Sequence, residues 1–396
     1  MPEATSGSEC RQQAVVKAPA PSPSLARLRR EDPVVKRKGR SQNGEPCDAW
    51  LVTRYDDVRT VLSSPHVSNV CHDGGGVGAG QPGVLVSMDP PDHTRIRRML
   101  TREFTVKRIQ ALRPRLEEIV AAQLDGMEQA GQSADLIRQF TFPIASFAIW
   151  ELLGIPCEER AEFQRLSEVM LDASLPMERR MKNYHETLTY ISTLIPGHRE
   201  NPGDGILGRL IREHADNISD QELIGVGCFL LVGGHEATAH ALGLGTLLLL
   251  QHPEQLADVR EGEEDVLRTA VEEILRYQAL IHTATPRWAT RDLTLSGQVI
   301  KAGDMIVTSL ASANHDQGFL QDADTFNVKR PVSRHLAFGY GIHQCLGQQL
   351  ARAVLKIVFP ALLQRFPSLR LAAPEGDIRY RTQGFVGGVE SLPVAW

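Results

Sequence analysis

Cys345 lies in HLAFGYGIHQCLGQQLAR, residues 335–352, flanked by Gly339, Gly341 and Gly347 and followed by an apolar stretch of helical period. A cysteine at the mouth of a helix has its thiolate favoured by the unbonded amides there. Glycines around it let the backbone pass close to something flat or bulky. A small buried thiol at a tight turn is the plainer reading, but it does not account for the whole string. A second reactive group stands in GGHEATAH, residues 233–240, inside a run that is otherwise almost wholly apolar. Glu236 is expensive to bury there unless it is used or paired. Gly233 and Gly234 each cost a helix about 1 kcal/mol, which makes sense if the backbone must leave room for a ligand. Close helix packing is the other explanation.

The string F-G-x-G-x-H-x-C-L-G, carried by Phe338, Gly339, Gly341, His343, Cys345, Leu346 and Gly347, resembles the haem-binding loop of cytochrome P450 monooxygenases. Further matches extend the resemblance from about Ser22 to Trp396. It implies the P450 fold, mainly α with small β-sheets (α+β). Haem b would lie between a long central helix and the helix after the cysteine loop, with Cys345 as the axial thiolate on iron. Such a ligand pushes electron density toward iron and favours O–O cleavage. Phe338 and Gly339 would border the cofactor. In EILR, Glu273 and Arg276 are three residues apart, share a helical face and can pair. Alone, the string reads as a surface ion pair of little worth. The resemblance implies instead a structural triad with Arg330 of FNVKR. Haem propionates need donors, and four positions match those of the family: His93 and Arg97 of PPDHTRIRR, spaced i, i+4, Arg287 of TPRWATRDL, and His343.

The family's central-helix motif is [AG]-G-x-[DE]-T, and residues 233–236 fit its first four positions. Glu236 is then the expected proton source. Proton delivery in the family uses an acid and an adjacent alcohol acting with water, but the alcohol position holds Ala237. Thr238 follows, turned by roughly 100° along the helix. Three readings stay open: a hydroxyl on the substrate completes the relay, as in macrolide-hydroxylating members with alanine here; ordered water from Glu236 or Thr238 substitutes; or the chemistry is less typical, such as coupling or epoxidation of another secondary metabolite. A haem-thiolate protein that binds its ligand without turnover is a further alternative.

The elements that must position these groups can be read coarsely. WLVTRYDDVRTVLSSP (50–65) reads as a strand and a short amphipathic helix. Helical period runs from His93 to about Leu250, with breaks expected at Pro114, Pro143 and Pro156. Residues 292–307 alternate around a Ser-Gly turn and predict a hairpin. Residues 1–21 read as a flexible leader and 22–396 as a single domain. Residues 67–83, 170–181 and 281–285, with the tail turn GFVGG, are expected to line a roomy apolar pocket for a bulky ligand.

Composition fixes the class. The 396 residues are 42% hydrophobic and 23% charged, with a formal charge of −5, those of an ordinary soluble globular chain. That charge opposes nucleic-acid binding, and Glu236 at mid-span opposes membrane insertion of the long apolar stretch. Six irregularly spaced cysteines and no signal segment predict a reduced, cytoplasmic setting, and a monomer is expected. Electrons would come from ferredoxin and ferredoxin reductase, with NAD(P)H behind them. The arginines and lysine between Asp92 and Arg115 are the expected docking patch.

Overall fold

The computed structural model describes residues 23–40, 46–70, 80–155, 159–162, 165–166, 175–278, 280–381 and 386–396. The expected leader (1–21), Pro156, and parts of three expected pocket segments (71–79, 170–174 and 384–385) lie outside them. The helices are α1 (Pro23–Glu31), α2 (Tyr55–Ser63), α3 (Asp92–Thr101), α4 (Val106–Ala130), α5 (Phe142–Leu153) and α6 (Met177–Glu200). They continue with α7 (Ile206–His214), α8 (Asp220–Gln251), α9 (Pro253–Glu261), α10 (Glu264–Gln278), α11 (Leu310–Asn314) and α12 (Gln348–Arg365). The sheets are small. β1 (Val34–Arg40), β2 (Pro46–Val52), β8 (Met305–Thr308), β5 (Arg287–Ala289) and β3 (Val67–Ser68) form one sheet in that order, with only β2 and β8 parallel. β4 (Ser133–Asp135), β10 (Pro393–Ala395) and β9 (Arg370–Leu371) form another. The predicted hairpin is β6 (Leu293–Leu295) with β7 (Gln298–Ile300). Its turn places Ser296 and Gly297 both at positive φ, 42° and 80°, as a type I′ turn requires.

The central helix α8 is long because its start is well fixed and nothing in its interior stops it. Ser219 Oγ accepts from the Glu222 amide, and the Glu222 carboxylate accepts from the Ser219 amide at 2.8 Å, a capping box. Its 32 residues span about 48 Å and are covered by α5, α6, α10 and α12. Two of its glycines are notches, one for the turn Ile137–Thr141 that precedes α5 and one for α12. A Cβ on Gly243 would lie 2.3 Å from Ile137 Cδ1, and one on Gly245 2.5 Å from Phe359 Cζ. The helix is therefore apolar all round because it is the centre of the core. Among the described residues no helix is long and apolar enough to cross a membrane.

One expected break is absent. Pro114 lies inside the unbroken α4, where Ile109, Leu116, Ile119, Val120, Leu124 and Met127 are buried on both sides of it. Packing of that face outweighs the roughly 3 kcal/mol penalty of an interior proline. Pro143, in contrast, opens α5 from the first turn, where its missing N–H is not needed.

Candidate functional site

The cysteine loop is built by backbone contacts. The Cys345 amide donates to the Phe338 carbonyl at 2.8 Å, closing the loop on itself. Gly339 and Gly341 take φ of 69° and 75°, open to glycine at little strain. A Cβ on Gly341 would be 2.3 Å from the Leu62 carbonyl oxygen, so this glycine serves contact with α2; around Gly339 there is open space. Cys345 Sγ sits just before α12. Burial is the largest influence on it and pushes the thiol up, while the Gly347 and Gln348 amides and the Arg97 and Arg352 charges pull toward thiolate. Yet the side chain keeps free surface. A group with free surface deep inside the protein lines an internal hollow. Arg352 also lies over the Phe338 ring at 4.5 Å, and packs that ring against the loop.

Beside the cysteine, the structure gathers all four residues expected to meet an anion. His93 and Arg97 stand on α3, and Arg287 opens β5. The His93 and His343 rings are 4.2 Å apart, and Arg97 donates to the Gln344 carbonyl at 2.6 Å. Burial lowers all four, to about 3 for His343 and about 10 for Arg287, and the cations further depress the histidines. Both ring nitrogens of His93 and Nε of Arg287 are buried without a hydrogen-bond partner. Asp89, the acid felt by His93 and Arg287, is already engaged by the Ser68 hydroxyl and the Asn69 amide. Buried donors with no acceptor fit the carboxylates of haem. With a soft thiolate alongside, the residues present fit that group. Asn69, which accepts from Arg287 Nη1, carried no recognisable motif.

The face that α8 turns toward open space is narrow. Between Leu231 and Leu249 nearly every residue is buried, but Gly233 is exposed and Val232, Gly234, Ala237 and Thr238 are half-buried. Nothing lies within 4 Å of a Cβ placed on Gly233, whereas one on Gly234 would be 2.1 Å from Ile149 Cδ1 of α5. The two glycines thus divide the explanations: Gly233 keeps space open, and Gly234 serves helix packing. Thr238 Oγ1 donates back to the Gly234 carbonyl at 2.9 Å, and so its proton is committed to the helix.

Glu236 is paired. Its carboxylate meets Arg381 of the tail, and Arg381 Nη1 also contacts His240 Nε2 at 2.5 Å. Arg381 is set there because its amide donates to the Gly388 carbonyl, and a Cβ on Gly388 would be 2.3 Å from His240 Nδ1. Burial raises the Glu236 carboxyl, outweighing Arg381 and Arg180, which lower it. Burial, then Arg381 and His235, depresses His240 to about 3. A neutral imidazole and a carboxyl inclined to hold its proton flank one guanidinium. His240 could have been found from its i, i+4 spacing to Glu236; Arg381, in RYR, had no signal. His235 is held apart, 2.7 Å from Ser146 Oγ.

The structure also brings Glu273, Arg276 and Arg330 together. Arg276 is fully buried and forks onto Glu273 with two 2.8 Å bonds. It donates as well to the carbonyls of Asn314, Ala323 and Thr325. Arg330 Nε reaches Glu273 at 3.2 Å. The basic segment is less free than expected. Arg95 pairs with Glu222, Arg108 with Glu103 and Glu213, Arg113 with Glu117, and Arg115 with Glu118 and Glu151, while Arg97 turns inward. Folding brought in acids distant in sequence. Arg98, Arg102 and Lys107 remain exposed and have no ion pair among the described residues.

Residues 161–379 match the family model described as Cytochrome P450. The chain is 39% identical over 388 residues to cytochrome P450 FAS1 of Rhodococcoides fascians, covering 95% of this chain and 96% of that one. It is 37% identical to the polyketide biosynthesis cytochrome P450 PksS of Bacillus subtilis (strain 168), covering 94% of each. Its fold is similar to that of P450 StaH from glycopeptide antibiotic A47934 biosynthesis, with a TM-score of 0.88 and 38% identity over 97% of this chain and 99% of that one.

Proposed function

Because this chain belongs to the cytochrome P450 family, an oxidoreductase family that binds haem through a cysteine thiolate, we propose that it hydroxylates a bulky, largely apolar natural product of the macrolide or polyketide class. Haem bound through Cys345 supplies dioxygen activation, consuming two electrons and two protons per turnover: one oxygen atom enters a C–H bond and the other leaves as water. The chain's own residues do the rest. The Gly347 and Gln348 amides favour the thiolate at Cys345 against the burial that raises the thiol, and would steady the sulfur as a ligand. His93, Arg97, Arg287 and His343 hold the propionates. Gly233 and Ala237 keep the central helix clear on its open face, and Glu236, its carboxyl raised by burial, stands beside Arg381 as the group placed to pass a proton.

The observation that carries the substrate reading is Ala237. It stands on the half-open face of α8 and can donate nothing, while the neighbouring Thr238 hydroxyl is bonded to Gly234. A site lacking its own donor next to the acid is completed by a hydroxyl that the substrate brings. A relative from polyketide biosynthesis accords with that class. Electrons would arrive from ferredoxin and its reductase in the cytoplasm. Arg98 and Arg102 are exposed on the segment that meets the cysteine loop through Arg97 and Phe104, and Lys107 follows the exposed Val106 at the start of α4.

The test is a titration of the ferric protein with a panel of macrolide lactones, followed by turnover with ferredoxin, reductase and NADPH. A lactone that shifts the haem spectrum and gains one oxygen is expected, and its deoxy analogue lacking the neighbouring hydroxyl should turn over poorly. If no lactone perturbs the spectrum, the substrate class is wrong. Binding without product would favour a binding protein instead.

A further inference from the structure

Two donors on α6 face the central helix and have nothing to donate to. α6 and α8 run antiparallel where they touch: Ile191 fills the notch at Gly227, and Tyr184, Met181 and Leu188 pack with Cys228 and Val232. Leu188, Tyr184 and Arg180 are four residues apart and form one row. Cys228, Val232 and Glu236 form the facing row, so the next turn after Tyr184 and Val232 sets Arg180 beside Glu236. Tyr184 is 6% exposed and its hydroxyl is buried without a partner. Arg180 Nε is buried without a partner too, and its guanidinium makes no ion pair among the described residues. The carboxylate nearest to hand is taken, because Glu236 already pairs with Arg381. His240 is held neutral and adds no negative charge. Around Glu236 there are thus two guanidinium groups for one carboxylate, next to a buried phenol.

We propose that Arg180 and Tyr184 form a recognition subsite for a carboxylate on the substrate, which anchors an otherwise apolar molecule against α6 and α8. This rests on the reading of the open face of α8 as the border of the substrate pocket. Guanidinium Nε–H and Nη–H present a fork that matches a carboxylate, and a phenol one helical turn away can supply a third hydrogen bond. The preferred substrate is then a polyketide or similar lipophilic body that bears an acid group. A fully neutral lactone leaves both buried donors orphaned, as they are now.

Ferric holoenzyme that first passes the reduced carbon-monoxide test for thiolate ligation is titrated with dodecanoic acid and with methyl dodecanoate, following the haem spectrum. Failure of the carbon-monoxide test would count against the family assignment of the site, not against the subsite. The acid is expected to bind about 10- to 100-fold more tightly than its ester, the range for hydrogen bonds to a charged group. Arg180→Gln should abolish that preference with ester affinity unchanged. Arg180→Lys should keep part of it, and Tyr184→Phe should reduce it several-fold. Equal binding of acid and ester to the wild type would overturn the proposal. So would an Arg180→Gln protein that keeps the preference, or a thiolate-ligated protein whose spectrum responds to neither probe.

Discussion

Glu236 is the residue on which sequence and structure pull in different directions. Its type and its place in an apolar helix announce a functional acid; its pairing with Arg381 is visible only in three dimensions. A buried ion pair is compatible with proton delivery if the carboxyl is still inclined to hold a proton. Here burial outweighs both arginines and raises it. Glu236→Gln should lower turnover about 10²- to 10⁴-fold, the usual worth of a general acid, with the thiolate spectrum intact. The same shift has a stability signature. A carboxyl raised in the folded state contributes stability that is full below its unfolded value and lost as pH rises through the folded one. The difference in urea midpoint between Glu236→Gln and wild type should therefore move in the variant's favour from about pH 4 to about pH 8. A difference that stays flat with pH would mean that folding leaves the proton affinity of Glu236 unchanged.

At the level of elements, α8 owes its position to close contacts that leave no slack. Adding a methyl at Gly234 forces it into Ile149 at 2.1 Å, and overpacking of this kind costs about 1–3 kcal/mol. Gly234→Ala should lower the denaturation midpoint accordingly, and Ile149→Ala in the same chain should recover part of the loss. Additive losses in the double variant would place the strain elsewhere. The tie between α10 and α12 makes a different prediction. Burial works against a charged Glu272, but hydrogen bonds from His335 and Arg352, at 3.0 Å and 2.5 Å, outweigh it and bring the carboxyl to about 2. A depressed carboxyl contributes stability above its unfolded value that is lost as pH falls toward the folded one. The contribution is on the order of 3 kcal/mol. Glu272→Gln should be less stable than wild type near neutrality, and that deficit should shrink between about pH 4.5 and about pH 2 in acid unfolding curves.

For the whole molecule, the Glu273–Arg276–Arg330 cluster joins α10 to the irregular segment before the cysteine loop. Arg276 serves three carbonyls besides its carboxylate. Arg276→Leu leaves Glu273 buried with its main partner gone, a loss of about 3–5 kcal/mol. Reduced folded yield and reduced haem content are expected, and Arg276→Lys should not rescue them, since an ammonium cannot supply the fork. The outer surface has its own test. Charge reversal at Arg98, Arg102 and Lys107 together should raise the KM for ferredoxin and flatten its salt dependence, with kcat from a chemical reductant unchanged. Reversal at the already paired Arg113 should do much less.

The cysteine loop and the Glu273–Arg276 pairing were legible in the sequence because each lies in a short string whose backbone geometry demands particular residues, whereas the roles expected of His93, Arg97, Arg287, His343 and Arg330 came from the family resemblance and not from any local string. Glycines at positive φ and a cysteine before a helix are local facts. So was the helix-rich class, through apolar period. What the sequence could not supply was every partner chosen by packing. Arg381 reaches Glu236 across 145 positions. The acids that neutralise most of the basic segment come from other elements as well as its own. Whether Gly233 or Gly234 opens space depends on Ile149 of α5. Local strings fix conformation, because dihedral sterics act over a few residues. Charge pairing, free volume and the protonation of a buried acid depend on which surfaces folding presses together, and those are settled only by the tertiary structure.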